Sequence, residues 1–204
     1  IAKCEALGIP WGVYWYSYAL TVEAAYQEAE TCYQIIKNYD FTYPVYFDME
    51  ERAQDSLSTA EVSAIIEAFC STLQAKGYYA GIYSYANFLS TKVYSNVLNK
   101  YAVWVAHYGV DAPGFSGSYG MWQYGSTGRV NGIEGDVDTD YGYINYPYLI
   151  TGNVDSSVTE NPNYSVDTGL AQGIDVSHYQ GGINWNQVAA TGVDFAIIRA
   201  GYGK

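Results

Sequence analysis

Short apolar segments alternate with amphipathic helical stripes along most of this chain, and that alternation leaves few folds open to it. Parallel strands need a crossover between them, and a helix with one apolar face is the usual crossover. Residues 1–7 read as the end of a helix stopped at Gly8, and Ile9–Ala19 (IPWGVYWYSYA) reads as a buried strand running into a loop. Val22, Ala25, Tyr26, Ala29, Cys32, Tyr33 and Ile36 then recur at helical spacing over 22–38. Pro44–Glu50 (PVYFDME) is the next strand, and Ser58 with Glu61 forms a capping box before a helix that Gly77 ends. Tyr79–Tyr83 reads as extended, and Asn87 is placed to cap a short helix through about Leu98. Tyr101–Ala106 is a strand, Gly109–Gly120 a loop, and Tyr119–Tyr124 and Gly135–Asp140 are short strands on either side of a glycine-rich turn.

Residues 151–171 (TGNVDSSVTENPNYSVDTGLA) lack periodicity and read as a linker. Gly173–Val176 and Val193–Ala200 follow as strands around a helix capped near Asn184 and Gln187. The tally of roughly eight strands separated mostly by helices favours an α/β fold, an irregular TIM-like β/α barrel, over a sandwich. The piece at 172–204 is too small to fold alone, so it is expected to complete, as its first β-α-β portion, the same single-domain barrel whose majority lies in 1–150.

With 49% hydrophobic and 15% charged residues among 204, the chain has the balance of a globular domain. Its net charge of −12 argues against nucleic acid as a partner, and no apolar run is long enough to suggest membrane insertion. Cys4, Cys32 and Cys70 are too few for a disulfide framework and are expected to be buried on helices.

Asp48 and Glu50 lie two apart at the end of a strand, so their side chains share one face at the end where barrel enzymes build their sites. Two neighbouring carboxyls repel, and the proton retained by one of them suits general-acid work on a glycosidic bond. A structural, loop-capping role explains that spacing equally well. Asp175 also ends a strand, with Ser177, His178 and Gln180 beyond it, and Asp136, Asp138 and Asp140 alternate in GDVDTD. Neither the calcium-loop spacing nor a zinc set around His107 or His178 is present, and there is no GxSxG elbow, so no metal and no cofactor are expected. The 24 Tyr and five Trp supply flat amphipathic surfaces that suit sugar rings, as they would suit a core. Tyr14, Tyr16, Tyr46, Tyr83, Trp104, Trp122 and Tyr124 sit on or beside strand ends as candidate substrate-binding residues, and Arg199 as a partner for a site carboxylate or for a structural ion pair.

GIDVSHYQGGINW (173–185), FAIIRAGYG (195–203), GIPWGVYWYSYA (8–19), PVYFDME (44–50) and MWQYGSTGRVNGIEGDVDTD (121–140) together resemble the signatures of glycoside hydrolase family 25, the Chalaropsis-type lysozymes. Their order is rotated relative to the family, which begins with the GIDVS-like motif, so the resemblance implies a circularly permuted order; the loop and first half-helix that the family carries between FAIIRAGYG and IAKC are not in this sequence. The resemblance implies a muramidase that hydrolyses the β-1,4 bond between N-acetylmuramic acid and N-acetylglucosamine. On that pattern Glu50 is the general acid, Asp48 a neighbouring carboxylate that positions or polarises substrate, and Asp175 and Asp138 the carboxylates of the family's first and last strands. Inversion, or retention assisted by the sugar's acetamido group oriented by Asp48 or Asp138, both remain open. The implied partner is bacterial peptidoglycan, met outside the cell by a secreted or wall-associated monomer. Two other classes compete: an inactive glycan-binding module of the cell wall, and a polysaccharide deacetylase.

Overall fold

Period-two alternation decides which way each strand's side chains point, and here it builds two cores rather than one. The computed structural model of the chain describes residues 2–152 and 170–203. Within them β1 (Trp11–Tyr16), β2 (Val45–Asp48), β3 (Ala80–Tyr85), β4 (Ala102–Ala106), β5 (Met121–Gly128), β6 (Val137–Gly142), β7 (Ala171–Val176) and β8 (Phe195–Tyr202) close into a barrel in chain order. All neighbours are parallel except β6, which runs antiparallel to both β5 and β7. β7 and β8 pair with each other, and β8 closes the ring by pairing with β1.

Outward residues of the strands meet helices α1 (Ala2–Leu7), α2 (Val22–Ile36), α3 (Thr59–Ala75), α4 (Ala86–Lys92), α5 (Ser95–Leu98) and α7 (Trp185–Ala189) in the larger apolar cluster. Phe47 on β2 stacks on Phe69 of α3 with ring centroids 4.0 Å apart. The predicted capping box is present, with Ser58 Oγ accepting from the Glu61 amide and the Glu61 carboxylate accepting from the Ser58 amide. Cys4, Cys32 and Cys70 are free thiols buried on α1, α2 and α3. No helix among the described residues is long and apolar enough to cross a membrane.

Inward residues form the second cluster, with Tyr43, Tyr46, Trp104, Met121, Tyr146, Phe195 and Ile197 plugging the barrel. Phe195 stacks on Tyr43 at 4.7 Å and fills space that Gly173 leaves open. A Cβ at Gly173 would lie 2.2–2.5 Å from three Phe195 ring atoms. Gly173→Ala is therefore expected to destabilise the fold by about 1–3 kcal/mol, an overpacking cost that urea unfolding would measure.

Several elements differ from the sequence reading. The stripe on α2 turns towards Ala25, Glu28, Ala29, Cys32 and Ile36, leaving Val22 and Tyr26 exposed, because the buried Glu28 carboxylate binds the Trp15 indole and the Tyr18 amide. One helix expected from Asn87 is two: β3 runs directly into α4 at Ala86, and Val93 is extended, with the Tyr94 amide bound to Ser63 Oγ at 2.9 Å. β5 continues through Gly125 and Gly128, where the register slips against Thr139 and Val137; a Cβ on either glycine would collide with Thr139. α6 (Tyr146–Thr151) is an additional helix, which Asn145 caps by accepting from the Tyr148 amide and Gly152 ends with a left-handed φ of 66°. The linker expected at 151–171 lies mostly outside the described residues.

Candidate active site

β2 sets the vertical order of the site. Its inward residues are Tyr46, then Asp48, then Glu50 just past the strand end, so depth decreases by one layer with each step of two. Tyr46 is fully buried, its hydroxyl donating to Met121 Sδ at 3.1 Å, and it lies beneath the site rather than in a sugar groove. Asp48 is almost fully buried and Glu50 remains exposed at the rim. The loops that carry Glu50 are braced: Gln54, fully buried, donates through Nε2 to the carbonyls of Ser17 and Ala19 and accepts from the Glu51 amide.

Tyr14, Asp48, Glu50, Tyr83, Trp104, Gln123, Asp138 and Asp175 line one small pocket at the C-terminal mouth of the parallel strands. Seven of these eight are residues that the sequence singled out. Asp138 and Asp175 face each other as cross-strand partners of β6 and β7. Trp104 forms the floor, and its indole donates to Asp140 Oδ1 at 2.8 Å.

The remaining candidates lie elsewhere. Tyr16 is at the rim, 5.2 Å from Tyr18 by ring centroids, and its hydroxyl donates to Glu51 at 3.3 Å. Trp122 and Tyr124 point outward from β5, on the face opposite Gln123; Trp122 donates to the His107 carbonyl, and Tyr124 stacks on Tyr141 at 4.2 Å. Arg199 pairs in register with Tyr14, contacts His178 Nδ1, and lies 5.1 Å over the Tyr179 ring. Among the described residues it makes no ion pair with a carboxylate, although its charge favours ionisation of Asp48. Of the three alternating aspartates, Asp136 precedes β6 and pairs with Arg129 in solvent, while Asp138 and Asp140 face inward.

Burial dominates the electrostatics, and every inward carboxyl is shifted towards its protonated form. Desolvation raises Glu50 first, helped by the charges of Asp138 and Glu51. Asp48 is pushed well up by burial and then by Glu50. Asp138 is raised by desolvation and by Asp136. Asp140 and Asp175 are buried together, each raised mainly by desolvation and each shifted by the other. Asp140 Oδ2 has no hydrogen-bond partner among the described residues, so a proton retained there spares a bare buried carboxylate oxygen.

The sequence reading missed Gln123 and Tyr108. Gln123 is buried at 3% exposure, and its Nε2 donates to Asp175 Oδ2 at 2.6 Å. Its Oε1 accepts from Tyr83 at 2.7 Å and from Tyr108 at 2.5 Å. Alternation in MWQY carried the signal, since a polar residue between two outward aromatics must face the barrel interior.

A helix-wrapped barrel with raised carboxyls and aromatic walls gathered at the strand ends has the layout of a glycoside-hydrolysing barrel enzyme. Residues 1–133 match the family model for glycosyl hydrolases family 25. The chain belongs to that family. It is 32% identical over 113 residues to the autolytic lysozyme of Clostridium acetobutylicum, an alignment covering 55% of this chain and 34% of that protein. Among solved structures, the CTP1L endolysin superposes with a TM-score of 0.63 at 28% identity, over 74% of this chain and 53% of the endolysin. The modular autolysin LytC of Streptococcus pneumoniae superposes with a TM-score of 0.58 at 32% identity, over 69% of this chain and 35% of LytC. The chain thus spans about a third of the length of that autolytic lysozyme.

Proposed function

We propose that this chain is a peptidoglycan muramidase that hydrolyses the β-1,4 bond between N-acetylmuramic acid and N-acetylglucosamine. The observation that carries the reading is Glu50: an exposed carboxyl at the rim of the pocket, raised by desolvation and by Asp138, and therefore able to hold a proton and still reach a bound glycan. In this reading Glu50 protonates the glycosidic oxygen as the bond to the departing N-acetylglucosamine breaks. Asp48 and Asp138 flank the sugar that becomes electron-deficient, either polarising water or orienting the acetamido oxygen. Tyr14, Tyr83 and Trp104 offer ring surface to the same sugar.

Peptidoglycan from a bacterial wall is the substrate and partner in this reading, met outside the cell. The 1–150 and 172–204 portions serve as two parts of one barrel, in an order rotated from the family's. Closure of β8 onto β1 and of β7 onto β6 supports that last inference. Mass spectrometry of digested peptidoglycan, with borohydride labelling of new reducing ends, tests the function. Labelled muramic acid is the expected product. Labelled N-acetylglucosamine would reverse the bond assignment, free acetate would indicate a deacetylase, and binding without new ends would make the chain a wall-binding module.

A further inference from the structure

Gln123 sits where two structural demands meet. An ionised Asp175 carboxylate can only accept, so the Gln123 NH2 group faces it and the amide oxygen turns to the Tyr83 and Tyr108 hydroxyls, which donate to it. Tyr83 alone suffices to hold that oxygen and so keep the NH2 group on Asp175, and Tyr108 shares the same oxygen as a second donor. Tyr83 belongs to β3, but Tyr108 belongs to the connection between β4 and β5, which is otherwise anchored through His107: the Gly114 amide donates to the His107 ring, and the Trp122 indole donates to the His107 carbonyl. Tyr108 is 47% exposed, so its hydroxyl reaches in among the charges of Glu50, Asp138 and Asp175 while much of its ring stays in solvent.

We propose that Gln123 is the positioning residue of this pocket, orienting Asp175 through its NH2 group and latching the 107–120 connection over the mouth through Tyr108. The proposal rests on the muramidase reading for its activity readouts. Asp175 shares its pocket with Asp138 and Asp140 from β6, Tyr14 from β1, Asp48 and Glu50 from the end of β2, and Tyr83 from β3, as well as with Gln123 and Tyr108, while Arg199 on β8 acts on the neighbouring Tyr14 and Asp48. Among these, the Gln123 NH2 group favours ionised Asp175, whereas the Asp138 and Asp140 carboxyls oppose ionisation.

The two arms come apart in two variants. Gln123→Met removes both, and Tyr108→Phe removes the latch alone. On purified peptidoglycan, Gln123→Met is expected to lower kcat by about tenfold to a hundredfold, the usual effect of losing a hydrogen bond to a charged group. It should also move the acid limb of the pH–kcat/KM profile to higher pH, because Asp175 ionises less readily without its donor. Tyr108→Phe should raise KM several-fold with kcat nearly kept and the acid limb in place. Thermal melting of each variant separates these effects from misfolding, and Gln123→Asn, which keeps the amide but cannot span both sides, should shift the acid limb in the same direction if the Met variant fails to fold. An unmoved acid limb in folded Gln123 variants, or an unchanged KM in Tyr108→Phe, overturns the proposal. Absence of cleavage by the folded parent chain overturns the muramidase reading instead.

Discussion

Glu50→Gln is expected to reduce the release of reducing ends from peptidoglycan by about a hundredfold to ten-thousandfold, the range over which a positioned general acid contributes. Gln keeps the size and shape of the side chain but has no proton to give to a departing alkoxide. The fold should be unaffected, because Glu50 is exposed at the rim of the pocket and, among the described residues, makes no side-chain hydrogen bond to a neighbouring element. Removing its charge also relieves the repulsion that it exerts on Asp48. The informative pair of measurements is therefore turnover and melting temperature on the same preparation. A fall in turnover at constant melting temperature identifies an acid, and equal turnover in mutant and parent would remove Glu50 from the mechanism. Asp48→Asn offers a contrast, since Asp48 is buried and already biased towards its neutral form, so that an amide there mimics its protonated state more closely than an amide at position 50 mimics a working acid.

The carboxyl layer of the pocket was legible in the sequence because period two is rigid. PVYFDME places Asp48 and Glu50 on one face of β2, and GIDVS and GDVDTD place Asp175 and Asp138 inward on neighbouring strands. The same rule, applied to MWQY, would have excluded Trp122 and Tyr124 and selected Gln123; choosing by aromatic character instead of by parity put both tryptophan and tyrosine on the wrong side of β5. Tyr46 illustrates a different limit. Its parity is right, but a closed barrel has layers, and the residue two positions before Asp48 falls into the plug. Arg199 lies near the expected place, yet its contacts are with His178 and Tyr179, which reach it from the turn after β7 and could not be placed by strand pattern alone. Tyr108 could not be read because long connections carry no periodicity, and its role depends on a hydroxyl reaching 15 positions along the chain.

Asp140→Asn is expected to stabilise the protein at alkaline pH, an unusual outcome for a substitution in a fully buried site. Burial raises the Asp140 carboxyl from 3.8 to about 8, so the folded chain retains a proton there that the unfolded chain releases in mildly acidic solution. Folding stability contributed by such a group is intact below the unfolded value and declines as pH rises towards the folded one. Asp175 and Asp48 are raised by the same cause and act in the same direction. Glu61, whose capping hydrogen bonds lower it, acts oppositely but from full exposure on α3. An asparagine at 140 can accept from the Trp104 indole through its oxygen and donate to Asp175 through its nitrogen, reproducing the protonated acid at every pH. The gain should be close to zero near pH 4 and grow to several kcal/mol near pH 8, since the carboxyl is raised from 3.8 to about 8 and each pKa unit corresponds to about 1.4 kcal/mol. Urea unfolding of parent and variant at both pH values measures the difference directly. A variant less stable than the parent by the same amount at both would mean that Asp140 is not protonated in the fold and that the floor of the pocket carries a negative charge, which would make Trp104 and Gln123 the donors that hold two ionised aspartates side by side.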